Sequence, residues 1–469
     1  MRFLEIVRRN GIKITRPTVA VFLIFGYYLA NRLYLIWRYG ERGFGYDFGI
    51  YRHHIVGFFD RLGDPTAPSF AFSGFSNALL VIRTSLPEIL IGWYLLISLG
   101  IVVFLYALMK KWFNRTAAIL AVLAMATSLV QFEFYQWYYY RNLLAVFFTM
   151  LALYLFEFRS YLIILPAIVI GSIHPPSFIP FFLGLSVYGV IRKEDRKFLI
   201  ISLAVSAVAV AGLNWPEWRG YLDYLTIVKG AVPVFGNYLF SETNEFTGQF
   251  IDFSYFWRSG LLYFPFAVAG VFFVWRRVPL ISILAFIYSL LIVGGFVLYR
   301  RYFVYLDIVL IIIACGWLGG EIDKFGHRPI WKIMLAVAVA ISIGRSLHQL
   351  AGFRPLLTAA EFTAIVETQV LPNNKPLMAL SSYYAPWLYG FSNHEVIAPG
   401  MFEANRWNRE EWMRFWYSND SDVRKNLFQK YQEKEIYIFM GERDQWQREQ
   451  FLNDPAFVAI NRYLWIYQL

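Results

Sequence analysis

A few charged residues at the ends of apolar segments carry what chemistry this sequence offers. In GFGYDFGIYRHH, residues 43–54, Asp47 stands between glycines and aromatics just past the first apolar segment. Glycine lets backbone and ligand approach closely. A carboxylate against an apolar, aromatic wall gains proton affinity and suits general-base work. The same residues also fit a solvated loop acid, or one paired with Arg52. In GGFVLYRRYFVYLDIVL, Arg300 and Arg301 open an apolar segment. Guanidinium pairs bidentately with phosphate and is not deprotonated, so these arginines suit a phosphate, with snorkelling to lipid headgroups as the alternative. In QFEFYQWYYYRN, Glu133 and Arg141 flank aromatics that suit an interfacial belt. His174, in GSIHPPSF, falls at a helix junction with two prolines and reads as a hydrogen-bonded structural residue or as a secondary site.

These residues need a membrane frame. Of the 469 residues, 58% are hydrophobic, 20% aromatic and only 16% charged, which points to a polytopic membrane protein. About 20 apolar residues cross a ~30 Å hydrocarbon core, and eleven segments are expected to be membrane helices. They lie near 17–37, 86–109, 116–132, 142–158, 160–173, 176–191, 198–213, 258–274, 279–298, 302–318 and 329–346, the fifth being short enough to be re-entrant or tilted. The net charge of +11 is spread over short loops rather than one soluble face, which argues against nucleic acid. The single cysteine, Cys315, lies in an apolar run and excludes internal disulfides. The basic start MRFLEIVRRNGIKITR leads into a segment that reads as a retained helix rather than a cleaved signal.

Loop charges set the expected orientation. With a cytoplasmic amino terminus, Lys110, Lys111, Arg115, Arg159, the RKEDRK run at 192–197, Arg276, Arg277, Lys324 and Arg328 all fall inside, and the one basic cluster that does not is YRRY at 299–302, with Arg300 and Arg301. Residues 1–346 then form the membrane module, with an outer loop at 38–85 and a second outer segment at 214–257. Residues 347–469 form a small extracytoplasmic α/β domain, because short apolar stretches (PLMAL, EVIAPG, EIYIFM, FVAINRYLWIYQL) alternate with helical, charged patterns. The aromatic segment 381–408 reads as the core of this domain or as a sugar-stacking surface. Asn419 to Ser421 is a lone glycosylation sequon. Arg32 and Asp307 lie within predicted membrane helices and must face the protein interior.

The order of these features resembles the GT-C superfamily of membrane glycosyltransferases, which includes protein O-mannosyltransferases, aminoarabinose transferases and oligosaccharyltransferase catalytic subunits. YDFGIYR is similar to the GT-C first-loop signature, in which an acid precedes an aromatic and often a Tyr-Arg pair, here Tyr51 and Arg52. The second acid of some such signatures is absent, and Asp307 stands where several families have proline after their Arg-Tyr element. The resemblance implies an inverting transfer of a sugar from a polyprenyl-phosphate-linked donor to a hydroxyl of a glycan, lipid or protein acceptor, outside a plasma, inner or endoplasmic reticulum membrane. Asp47 is then the base, Glu133 orients the acceptor or helps hold a metal, and Arg300 or Arg301 binds the donor phosphate. Arg141, His174, Tyr51, Arg52 and His54 are supporting substrate-binding candidates.

No zinc spacing occurs, and the adjacent His53 and His54 cannot both face one ion from a regular element. Asp47 and Glu133 suit a hard divalent ion such as Mg or Mn, and the sequence leaves metal dependence open. A transporter, flippase or polymerase of lipid-linked saccharides is the alternative. A transporter favours repeats and mid-membrane polar groups, whereas the unusual polar residues here collect at one surface.

Overall fold

The apolar segments fold as helices because, in lipid, only intrasegment hydrogen bonding satisfies the backbone. The computed structural model describes residues 16–468 except 57–69, 82–83, 216–250, 296–298, 401–403 and the single positions 327, 373, 419, 432 and 434. The basic amino terminus, most of the segment 214–257 and the sequon's Asn419 lie outside the described residues.

The membrane part runs α1 (Arg16–Tyr39), α2 (Phe48–Val56), α3 (Phe70–Val81), α4 (Trp93–Trp112), α5 (Arg115–Thr127), α6 (Leu129–Gln136), α7 (Tyr140–Phe156), α8 (Ile164–Ile173), α9 (Pro175–Ile191), α10 (Arg196–Leu213), α11 (Phe253–Gly260), α12 (Phe264–Arg277), α13 (Pro279–Val293), α14 (Tyr302–Phe325) and α15 (Pro329–Gly352). Each of the eleven expected segments is helical. Five of these helices are long and apolar enough to span a membrane, so the chain is an integral membrane protein. Two more spans arise if the bent pairs α5–α6 (52°) and α11–α12 (73°) each count as one, and the remaining four segments are shorter apolar helices. The first outer loop is not irregular: it contains α2 and α3.

The first bend has an identifiable cause. Ser128 breaks α5 from α6 and caps the latter, its Oγ accepting from Gln131 N at 3.2 Å. The freed Leu129 N–H donates to Ser259 Oγ of α11 at 3.1 Å. Asp307 of α14, fully buried, takes hydrogen bonds from Ser128 Oγ (2.8 Å), Gln131 Nε2 (2.9 Å) and the Tyr263 hydroxyl. One carboxylate thus ties two broken helices to the central one, which supplies the partners that sequence leaves unnamed for Asp307. Arg32 braces the same break rather than reaching the site. It donates to Gln131 O at 3.2 Å and lies over the rings of Tyr28 (4.5 Å) and Tyr135 (4.7 Å). Asp307→Ala leaves three buried donors without their acceptor, each costing about 1–3 kcal/mol. It is expected to lower the melting temperature in detergent more than Asp307→Asn, which keeps one acceptor oxygen.

Beyond α15 the chain forms α16 (Ala359–Glu367), α17 (Ala385–Phe391), α18 (Arg409–Tyr417), α19 (Ser421–Phe428) and α20 (Arg448–Leu452) around strands β1 (Leu377–Ala379), β2 (Val396–Ile397), β3 (Glu435–Phe439), β4 (Phe457–Ala459) and β5 (Leu464–Gln468). The sheet order is β2-β1-β3-β5-β4. The first three strands are parallel, as helical crossovers require, and the terminal apolar stretch splits into the antiparallel β4 and β5. Trp412, Phe415, Phe428, Phe451 and Trp465 are buried together around the sheet, and Arg424 and Asp454 form a buried pair at 2.9 Å.

Candidate active site

Asp47 is placed by two glycines and by the turn between α6 and α7. Gly43 and Gly45 have φ of +74° and +83°, a region that other residues occupy only with strain. A Cβ on Gly45 would fall 2.5 Å from Tyr138 Cβ and 2.7 Å from Gln136 O, so the loop lies directly on that turn. Asp47 N donates to Trp137 O (3.3 Å) and its carbonyl accepts from Tyr51 N (3.1 Å), starting α2.

The C-terminal part closes over the other side. A Cβ on Gly49 would meet Pro386 O at 1.8 Å, and Gly390 of α17 packs on Gly49. Tyr46 Oη donates to Ser382 O at 2.6 Å, and Trp387 Nε1 donates to Arg42 O at 2.9 Å. The first part of the aromatic segment, residues 382–390, therefore packs against the first loop, whereas Trp407 joins the core around the sheet. Arg52 donates to Gly390 O and lies over Phe391 at 4.8 Å, so it does not pair with Asp47. His53 packs on Tyr389 with ring centroids 3.7 Å apart, and the buried His54 ring lies 5.5 Å from the same tyrosine. These three face the C-terminal part, whereas Tyr51 turns toward the site, its hydroxyl accepting from Arg141 N at 3.4 Å.

Around Asp47 the structure gathers cations. Burial pushes the Asp47 carboxyl up to about 6, and the charges of Arg301 and Arg141 oppose that rise. The same two guanidiniums act on His174. Arg141 is held by Nε donating to Ile173 O at 2.7 Å, and Arg301 lies over Tyr139 at 5.1 Å. His174 Nδ1 is 2.6 Å from Ser177 Oγ, which also contacts the Tyr305 hydroxyl, and Tyr305 donates to Asn142 Oδ1 at 2.7 Å. Arg300 goes elsewhere: it pairs with Asp252 at 3.2 Å, just ahead of α11. Tyr299–Arg301 form a single 3-10 turn ahead of α14, in which adjacent side chains point about 120° apart, and that geometry separates two arginines that look equivalent in sequence.

Glu133, on α6, is buried and accepts from Gln349 Nε2 of α15 at 2.9 Å. It sits on a second wall, and Tyr139 lies between the two acids, within electrostatic reach of Arg301, Asp47 and Glu133. Among the described residues, no cluster of three or more His, Cys, Asp or Glu could hold a metal ion. The run Tyr138–Tyr140 corrects the reading of these aromatics as an interfacial belt. All three are buried, Tyr138 at φ 63°, and Tyr140 Oη donates to Ile89 O at 2.7 Å. The helix break at Ser128 turns this run inward. Tyr139, Asn142 and Gln349 are site neighbours that residue type alone did not mark; the first two stand beside Arg141 in sequence, whereas nothing in the sequence links Gln349 to Glu133, 216 residues away.

No protein-family model and no curated protein matches the sequence. Solved structures do. The oligosaccharyltransferase AglB from Archaeoglobus fulgidus, in complex with an inhibitory peptide and a dolichol-phosphate, superposes with a TM-score of 0.52 at 12% identity, over 89% of this chain and 69% of that one. ArnT from Cupriavidus metallidurans in the apo state gives 0.56 at 13% identity, over 97% of this chain and 98% of that one. ArnT bound to undecaprenyl phosphate gives 0.54 at 13% identity, over 95% and 97%. Both neighbours are GT-C glycosyltransferases, and the chain has the GT-C fold.

Proposed function

We propose that this chain is an inverting membrane glycosyltransferase that moves a sugar from a polyprenyl-phosphate-linked donor to an acceptor hydroxyl on the extracytoplasmic side. The observation that carries the reading is one carboxylate, Asp47, set against two guanidiniums, Arg141 and Arg301, in a GT-C fold. The lipid phosphates bound by the two neighbours support a lipid-phosphate donor.

In this scheme Asp47 takes the acceptor hydroxyl proton as that oxygen bonds to the anomeric carbon. The bond from that carbon to the phosphate oxygen breaks, and its electron pair leaves with the phosphate. Arg301 receives the phosphate charge, the tethered Arg141 adds a fixed positive field, and Glu133 orients the acceptor. One displacement inverts the anomeric centre.

The test is turnover by purified protein supplied with polyprenyl-phosphate sugars, read as release of polyprenyl phosphate and glycosylated product. Lipid-linked sugars that accumulate in cells lacking the protein identify the donor to use. Lipid-linked sugar moved across proteoliposome membranes without bond cleavage would replace this reading with a transporter. The scheme also sets the pH response. A protonated Asp47 cannot accept a proton, so kcat/KM is expected to fall tenfold per pH unit below about 6 and to level above it. A profile flat from pH 5 to 8 removes Asp47 as base.

A further inference from the structure

The two bends that Asp307 pins together open a second cavity, of about 810 Å³, between α6, α11 and α15. Its wall carries Arg258, Arg345, His348 and Arg354, with Glu133 and Gln349 at its inner side. Arg345 donates to the backbone carbonyl of Arg258 and lies within electrostatic reach of the Arg258 charge. Among the described residues, no carboxylate lies within ion-pair distance of Arg258, Arg345 or Arg354. The only acid on the described wall is Glu133, whose carboxylate is occupied by Gln349. Like charges held together in a partly desolvated cleft repel, and an anion relieves that repulsion. The volume matches that of a small-molecule site.

We propose that this cavity binds the phosphate-bearing headgroup of an anionic membrane lipid. α15 forms one wall, and only 6% of its apolar window is buried, so this helix faces lipid along most of its length. A headgroup can therefore reach the arginines sideways from the bilayer with its chains still in hydrocarbon. Among the described residues the lining of the cavity includes Glu133 but neither Asp47 nor Arg301, so the site is separate from the one around Asp47. This binding site does not rest on the transferase reading.

Binding without turnover separates the two. Full-length protein in phosphatidylcholine nanodiscs is titrated with fluorescent dioleoyl phosphatidic acid. The double variant Arg258→Gln with Arg345→Gln is expected to weaken binding at least tenfold, and Arg301→Gln to change it less than twofold. Undecaprenyl phosphate is expected to show the opposite pattern. Because Arg345 also caps α11, the exposed pair His348→Gln with Arg354→Gln is a second probe, expected to weaken phosphatidic acid binding about threefold or more. Unchanged affinity in both double variants, or loss confined to Arg301→Gln, overturns the site. Displacement of the lipid by millimolar inorganic phosphate overturns the lipid-headgroup assignment. Loss of turnover in Asp47 or Arg301 variants leaves this binding result standing, and its absence leaves the transferase reading standing.

Discussion

Asp47→Asn is expected to lower turnover about 10²- to 10⁴-fold, the contribution of one well-placed general base, or about 2.7–5.5 kcal/mol of barrier. Asparagine is nearly the same size, and the backbone bonds of this position to Trp137 and Tyr51 do not use the side chain, so the fold is expected to persist. The variant also removes the anion that faces Arg141 and Arg301. Their charge then falls on any bound phosphate alone, so undecaprenyl phosphate is expected to bind as tightly as in the wild type or tighter. Low turnover with undiminished lipid-phosphate binding separates a lost base from a collapsed site. Full turnover in a folded Asp47→Asn protein sinks the assignment.

Asp47 was legible because its neighbours are unusual: glycines on both sides, aromatics between, and a position just past an apolar segment. The short strands of the C-terminal part were legible for a similar reason, since four apolar stretches stand between charged helical patterns. The second cavity was not legible. Its arginines come from segments nearly ninety residues apart, joined only because α11–α12 bends by 73°. At that bend Tyr263 donates to Asp307 across the bundle, and hydropathy alone reads one continuous apolar run there. Likewise, the aromatic content of Tyr138–Tyr140 could not say which way the chain turns, and a buried run was read as a belt.

The same limit applies to Arg300 and Arg301, and their variants are expected to differ sharply. In the proposed scheme Arg301→Gln removes a charge-assisted contact to the donor phosphate, worth about 1.5–3 kcal/mol, so the donor KM is expected to rise about 10- to 150-fold. Arg301→Lys keeps the charge without the planar fork and is expected to fall between. Arg301 also opposes the rise that burial imposes on Asp47, so its removal lets the carboxyl climb above about 6 and moves the acid limb of kcat/KM toward neutral pH. Arg300→Gln instead breaks the pair with Asp252 at the start of α11. Its expected effect is lower stability, with donor KM and the pH limb close to wild type. A phosphate contact explains the KM change, nearness to Asp47 explains the pH shift, and only Arg301 has both. If Arg300→Gln raises the donor KM while Arg301→Gln leaves KM and the pH limb unmoved, the phosphate lies on the Asp252 side and the displacement geometry proposed around Asp47 is wrong.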